Sequence, residues 1–163
     1  MTKHEVIDNF LSDDEFYQLE KMFTSKVFPW FYEPAVAVES KVDKNNIYMY
    51  HLIYQDWCPN SPQFNLLVPL LTRLGAKAIS RIKANFYPGT PTQFEHGMHK
   101  DYEFPHKGGL FSINTNNGYT KLEDGTKIKS VANRMLLFDA SKPHTSATCT
   151  DANARININI NYF

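Results

Sequence analysis

The segment Arg155-Ile156-Asn157-Ile158-Asn159-Ile160-Asn161 alternates without a break between a guanidinium or amide and an isoleucine. A period of two is the signature of an extended strand, whose successive side chains point to opposite faces. A helix would scatter these isoleucines around its axis. The segment is therefore a β-strand with one face that must be covered and one that is polar along its whole length. Turned to solvent, such a polar face is ordinary for an antiparallel sheet. Turned inward, it requires a closed structure with a polar cavity. The segment alone leaves both open.

Other segments supply strand partners. Residues 47–54 are rich in aromatic and β-branched types, and in 81–87 Ile82, Ala84 and Phe86 alternate with Arg81, Lys83, Asn85 and Tyr87. Further strands are predicted at 109–114, 119–122, 127–131, 134–139, 144–149 and 154–162, with hairpin signals at Asn117-Gly118 and Asp124-Gly125. Many short strands separated by turns predict an antiparallel sandwich or jelly roll. Two helices precede them. Ser12 and Glu15 form a capping box for a helix over 13–24, with Phe16, Leu19, Met22 and Phe23 on one face. A second helix is predicted from Ser61-Pro62 to Leu74, stopped by Gly75, with Pro69 kinking or splitting it. The expected fold is mainly β with supporting N-terminal helices.

Composition narrows the function classes. Seventeen Lys and Arg balance 17 Asp and Glu, and no basic cluster is interleaved with aromatics, which disfavours nucleic acid or an anionic membrane as partner. No apolar run suits a signal peptide or a membrane span, so a cytoplasmic protein is expected. Cys58 and Cys149 are too few for a disulfide framework or a Cys-only metal site and read as reduced thiols.

Histidine and carboxylate remain available. His99-Lys100-Asp101 places an imidazole and a carboxylate on one face of a strand, and His144 follows Ser141-Lys142-Pro143. Two His and one carboxylate are a facial ligand set for Fe(II), leaving coordination positions open for co-substrate and O2. A His-x-Asp arises easily by chance, so from these three residues alone ordinary polar side chains compete with a metal site. Arg155 adds weight. A hairpin about residues 151–153 would set Asn159 nearly opposite His144 and Arg155 roughly 15 Å along, a span suited to a short dicarboxylate held at its far end by a planar guanidinium. Among the neighbours, His96 is expected to face solvent, His106 to lie at the site mouth or the surface, and Lys83 and Lys100 to be solvated. Few charges are expected near the site. The Phe28–Tyr32 cluster reads as core or sheet covering, with a substrate lid as the alternative.

Taken in order, Tyr87-Pro88-Gly89, His99-Lys100-Asp101-Tyr102, Phe111-Ser112-Ile113-Asn114, Gly118-Tyr119-Thr120, Leu136-Leu137-Phe138-Asp139, Pro143-His144 and Arg155 resemble the 2-oxoglutarate- and Fe(II)-dependent dioxygenases, in particular their prolyl-4-hydroxylase-like branch. Asn85-x-Tyr87 and Arg155-x-Asn157 also look like co-substrate pairs of AlkB-type demethylases, a sister branch. The resemblance covers about residues 80–163. It implies a double-stranded β-helix of cupin-like, jelly-roll form, and hence a single dioxygenase domain over 1–163, with 1–75 as helix-rich support and 76–163 as the β-helix core. It implies His99, Asp101 and His144 as catalytic iron ligands. Arg155 would bind the distal carboxylate of 2-oxoglutarate, with Tyr87, Asn85 and Asn157 assisting. The implied activity is hydroxylation of an unactivated C–H bond, coupled to conversion of 2-oxoglutarate and O2 to succinate and CO2. The implied substrates are a peptidyl proline or other protein side chain, a free amino acid or a small metabolite. The alternative is a non-catalytic jelly-roll module that binds a metal or small molecule. The chain departs from the branch in having Arg155 where Lys is frequent, Asn117-Gly118 for a Gly-Gly pair, and an insertion over Thr90–Gly97.

Overall fold

The computed structural model describes residues 4–34, 36 and 47–163. In chain order the elements are β1 (Glu5–Ile7), α1 (Asp13–Phe23), β2 (Phe31–Glu33), β3 (Tyr48–Gln55), β4 (Cys58–Pro59), a 3-10 turn (Pro62–Leu67), α2 (Val68–Leu74), β5 (Ile79–Pro88), β6 (Lys107–Ser112), β7 (Tyr119–Leu122), β8 (Lys127–Lys129), β9 (Arg134–Asp139), β10 (His144–Ser146) and β11 (Ala154–Tyr162). No described helix is long and apolar enough to cross a membrane.

Two sheets result. The large one runs β1-β9-β6-β11-β5-β3-β2, with β4 appended to β3, and the small one runs β10-β7-β8. Residues 95–99 extend the small sheet beside β10 through the Glu95–Ala147 and His99–His144 bridges. From β5 onward the chain shuttles between them: β5 large, 95–99 small, β6 large, β7 and β8 small, β9 large, β10 small, β11 large. That crossing pattern closes the sheets face to face as a double-stranded β-helix. It also removes one expected feature. β6 and β7 lie in different sheets, so Asn117-Gly118 belongs to a crossover and not to a hairpin, whereas Asp124-Gly125, with Gly125 at φ +85°, does turn β7 into β8.

The alternation of β11 now has its explanation. Ile156, Ile158 and Ile160 join Ile82 and Ala84 of β5, Phe111 of β6 and Met135 of β9 in a core covered by Leu19 and Phe23 of α1 and by Leu67, Leu70 and Leu71. Helix α1 starts at the Ser12/Glu15 capping box. The second helical segment divides at Val68, so Pro69 occupies the first turn of α2, where its missing N–H removes no helical bond. The opposite faces of β5 and β11 point between the sheets. Antiparallel register sets Tyr87 against Arg155, Asn85 against Asn157, Lys83 against Asn159 and Arg81 against Asn161. A smaller cluster of Leu122, Ile128, Leu136, Phe138 and Ala140, with Leu110, fills part of the space between the sheets. Of the aromatic cluster, Phe28 is buried and Trp30 packs on the core, while Phe31 and Tyr32 are exposed on β2.

Candidate metal centre and its cavity

Within this interior His99, Asp101 and His144 come together, one donor atom from each lying within 4.8 Å of the others. His99 and His144 stand side by side because their backbones exchange hydrogen bonds, His99 N to His144 O and back, both at 2.9 Å. Asp101 lies two residues further along, in a bend beyond the bridge. Each imidazole is aimed by its own backbone: Nδ1 of His99 pairs with the Gly97 carbonyl at 3.2 Å and Nδ1 of His144 with the Lys142 carbonyl at 3.0 Å. With Nδ1–H donated, Nε2 carries the free lone pair, the tautomer a metal requires. Burial, and secondly the neighbouring His144, hold His99 below its ordinary pKa, which keeps that lone pair available.

Asp101 is held from both sides. Nη2 of Arg81 donates to Oδ1 at 2.8 Å, while Nδ2 of Asn161 and of Asn159 donate to Oδ2 at 2.8 and 3.1 Å. Oδ2 also lies 3.9 Å from Nε2 of His144. Burial opposes ionisation, but Arg81, His144 and the two amides outweigh it and hold the carboxyl well below the usual carboxylate range. Two imidazoles and one ionised carboxylate, each with its orientation set, fit a divalent first-row cation.

A narrow cavity leads from His99 and His144 to Arg155, past Asn85, Tyr87, Leu110, Phe138, Asn157 and Asn159. Arg155 is 1% exposed, yet it forms no ion pair with any described carboxylate. Its Nε donates to Ser130 Oγ at 2.7 Å and its Nη2 to Thr120 Oγ1 at 2.8 Å, while Nη1 is buried without a partner. Its guanidinium lies 5.5 Å from the Tyr87 ring centre. Burial lowers its pKa and burial raises that of Tyr87, as expected for polar groups kept from water. Asn85 donates to Asn157 Oδ1 at 3.0 Å, leaving Asn85 Oδ1 unpaired. A cationic fork with an idle N–H, an idle amide oxygen and three clustered donors thus share one enclosed space. A wider surface groove runs along Pro105, His106, Leu137, Tyr162 and Phe163.

Several expectations are corrected. The proposed hairpin between β10 and β11 is absent: β10 pairs with β7, and β11 pairs with β5 and β6. Arg155 reaches the cavity across the gap between sheets, donating to Thr120 on β7. His96 does not face solvent; it is buried, its Nδ1 at 2.8 Å from the Ser146 carbonyl, and desolvation pushes its pKa down to about 4. His106 is buried at the back of the site, where Nδ2 of Asn161 donates to its Nε2 at 3.2 Å. Lys83 is not fully solvated and Arg81 binds Asp101, so charges do line the site. Lys100 is exposed and pairs with Glu103. Arg81, Lys83, Asn159 and Asn161 also belong to this interior, where their period-two spacing from Tyr87 and Arg155 puts them on the same faces.

No family model and no curated protein sequence matches the chain. Solved structures do. A 2OG-Fe(II) oxygenase family oxidoreductase from Burkholderia pseudomallei superposes with a TM-score of 0.70 at 13% identity, covering 98% of this chain and 84% of its own. A prolyl hydroxylase from Trichoplax adhaerens, in complex with a hypoxia inducible factor oxygen degradation domain peptide, gives 0.69 at 15% identity over 100% and 84%. The viral collagen prolyl hydroxylase of Paramecium Bursaria Chlorella virus-1, as its 2OG complex, gives 0.64 at 13% over 97% and 94%. The crossing of strands between sheets and these superpositions agree: the chain has the jelly-roll, double-stranded β-helix fold of the prolyl hydroxylases and other 2OG-Fe(II) oxygenases.

Proposed function

We propose that the protein is an Fe(II)- and 2-oxoglutarate-dependent dioxygenase that hydroxylates an unactivated C–H bond. The observation that carries this reading is the pairing, in one cavity, of a clustered 2-His-1-carboxylate donor set with a buried guanidinium that has no counter-ion. A metal site alone has no need of Arg155, and a buried cation without an anion is unfavourable unless a ligand supplies one. A dicarboxylate satisfies both ends.

His99, Asp101 and His144 would hold the metal. Arg155 would take the distal carboxylate, its Nη1–H being free for it, while Tyr87, Asn85 and Asn157 line the passage between the two ends. Bound there, Fe(II) and 2-oxoglutarate would supply the oxidation, with one oxygen atom of O2 going to the co-substrate, released as succinate and CO2, and the other to the substrate C–H bond. This chain orients both carboxylates, keeps Asp101 ionised through Arg81, Asn159 and Asn161, and shields the passage from water. The substrate is a protein side chain such as a peptidyl proline, a free amino acid or a small metabolite.

The test is anaerobic titration of the Fe(II)-loaded protein with 2-oxoglutarate, followed by O2. The expected result is a visible metal-to-ligand charge-transfer band, then release of succinate and CO2. A metal-loaded protein that shows neither is a binding module, and the reading fails.

Gly118 offers a second test. A Cβ at this position would stand 2.7 Å from Arg155 Cδ and 2.8 Å from Asn116 Oδ1, too close for either to remain in place. Gly118→Ala is expected to displace the guanidinium and weaken 2-oxoglutarate about tenfold, with the metal affinity unchanged, since small misplacements of a positioned group carry large effects. Titration of the same band measures both.

A further inference from the structure

The inward face of β5 carries two cations, Arg81 and Lys83, and of these only Arg81 serves the metal site. Arg81 gives one N–H to Asp101, but its Nε is buried without a partner. Lys83, two residues along on the same face, is partly buried. Among the described residues its one hydrogen-bond partner is the Tyr48 hydroxyl at 3.4 Å, and its ammonium stands 5.4 Å from the centre of that ring. It forms no ion pair with any described carboxylate: Asp101 is engaged by Arg81, and Glu33 on β2 acts on it only at longer range. Burial, and next the charge of Arg81, push its pKa down to about 8. The neighbouring position on β3 in the same register is Leu52, so this wall accommodates an apolar side chain. A lysine held here without a counter-ion is unfavourable for folding alone.

We infer that Lys83, with the Tyr48 hydroxyl, forms an anion subsite that receives a carboxylate of the substrate, so that the molecule oxidised is an organic acid or an acidic side chain. The inference rests on the oxygenase reading and deepens it. The co-substrate has its own cation in Arg155, and the cavity leading to it is lined by Asn85, Tyr87 and Asn157 but not by Lys83. Lys83 reaches instead to the Tyr48 hydroxyl on β3. The surroundings suit a small acid with a flat or apolar body: Tyr102 lies 5.1 Å from the Arg81 guanidinium, and Tyr48 stacks on Tyr87 at 5.6 Å. A carboxylate placed there would sit beside the metal ligands and would give Lys83 the charge-assisted hydrogen bond it lacks.

The experiment compares N-acetyl-L-glutamate and N-acetyl-L-aspartate with their neutral side-chain amides, N-acetyl-L-glutamine and N-acetyl-L-asparagine. Each is titrated anaerobically into the Fe(II)- and 2-oxoglutarate-loaded protein, following the charge-transfer band, and into metal-free protein, following the side-chain carbon resonances of Lys83 by NMR. The acids are expected to bind at least about tenfold more tightly than the amides. In Lys83→Met and Tyr48→Phe that preference should disappear while 2-oxoglutarate affinity stays within about twofold. Equal binding of acid and amide by wild-type protein overturns the inference. So does a Lys83→Met protein whose 2-oxoglutarate affinity falls about tenfold or more, because Lys83 then serves the co-substrate. Absence of the charge-transfer band in wild-type protein is instead a failure of the oxygenase reading, and the NMR arm still decides whether Lys83 binds carboxylates.

Discussion

Asp101→Asn is expected to lower metal affinity more than ~100-fold while the protein remains folded. The carboxylate is surrounded only by donors: Arg81 on Oδ1, Asn159 and Asn161 on Oδ2. An amide has nearly the same shape but no charge, and it turns one of its two acceptor atoms into a donor. Whichever way it is oriented, an N–H then faces another N–H, and the remaining oxygen attracts a divalent cation far less than a carboxylate does. Arg81 loses its counter-ion as well, so folding stability should fall by about 3 kcal/mol. That is a fraction of the roughly 5–15 kcal/mol typical of a domain, and the fold survives it. Equilibrium dialysis with Fe(II) under anaerobic conditions, or with Mn(II), reads the metal, and circular dichroism reads the fold. Unchanged metal affinity in a folded Asp101→Asn protein would remove the metal centre from the proposal. Asp101→Ala is a poorer probe, since it also leaves Asn159 without its acceptor and Asn161 with His106 alone.

The same surroundings explain what could and could not be read from the sequence. Strands β7, β9 and β11 fall at the predicted residues, β11 because its sequence alternates strictly with period two. The short strands β1, β2 and β4 were not predicted. They are held by pairing with β9 and β3, which no local pattern announces. The polar face of β11 was legible as a face but not as an interior one, since facing inward depends on closure of two sheets by distant strands. His99, Asp101 and His144 are legible only through the ordered motifs around them, since His-x-Asp by itself arises easily by chance. Arg81 was passed over because an arginine on a strand is ordinarily solvated, and only the fold brings it to a carboxylate 20 residues away. The hairpin expected around 151–153 failed for a related reason. A turn between two strand patterns signals a reversal of the chain, but here the reversal carries it from one sheet to the other.

Arg155→Met should weaken 2-oxoglutarate about 100-fold and leave the metal-free protein at least as stable as the wild type. The two effects have opposite causes. In the free protein the guanidinium is buried, its hydrogen bonds go to the neutral hydroxyls of Ser130 and Thr120, and Nη1 has no partner. A buried cation so placed destabilises the fold, and an apolar side chain of similar length relieves that while losing two ordinary hydrogen bonds. With 2-oxoglutarate bound, the fork meets a carboxylate in a dry cavity, where a paired, charge-assisted contact is strongest. Wild-type protein with the ligand at a hundred times its Kd gains about 2.7 kcal/mol of stability, and the variant at the same concentration should gain much less. Arg155→Lys keeps the charge but not the planar fork and should fall between them. Thermal melts with and without 2-oxoglutarate, beside titration of the Fe(II) charge-transfer band, measure both sides. A structural arginine would behave in the reverse way: Arg155→Met would melt earlier without ligand and bind 2-oxoglutarate as well as the wild type. That outcome would leave the cavity without its co-substrate and return the protein to a metal-binding jelly roll.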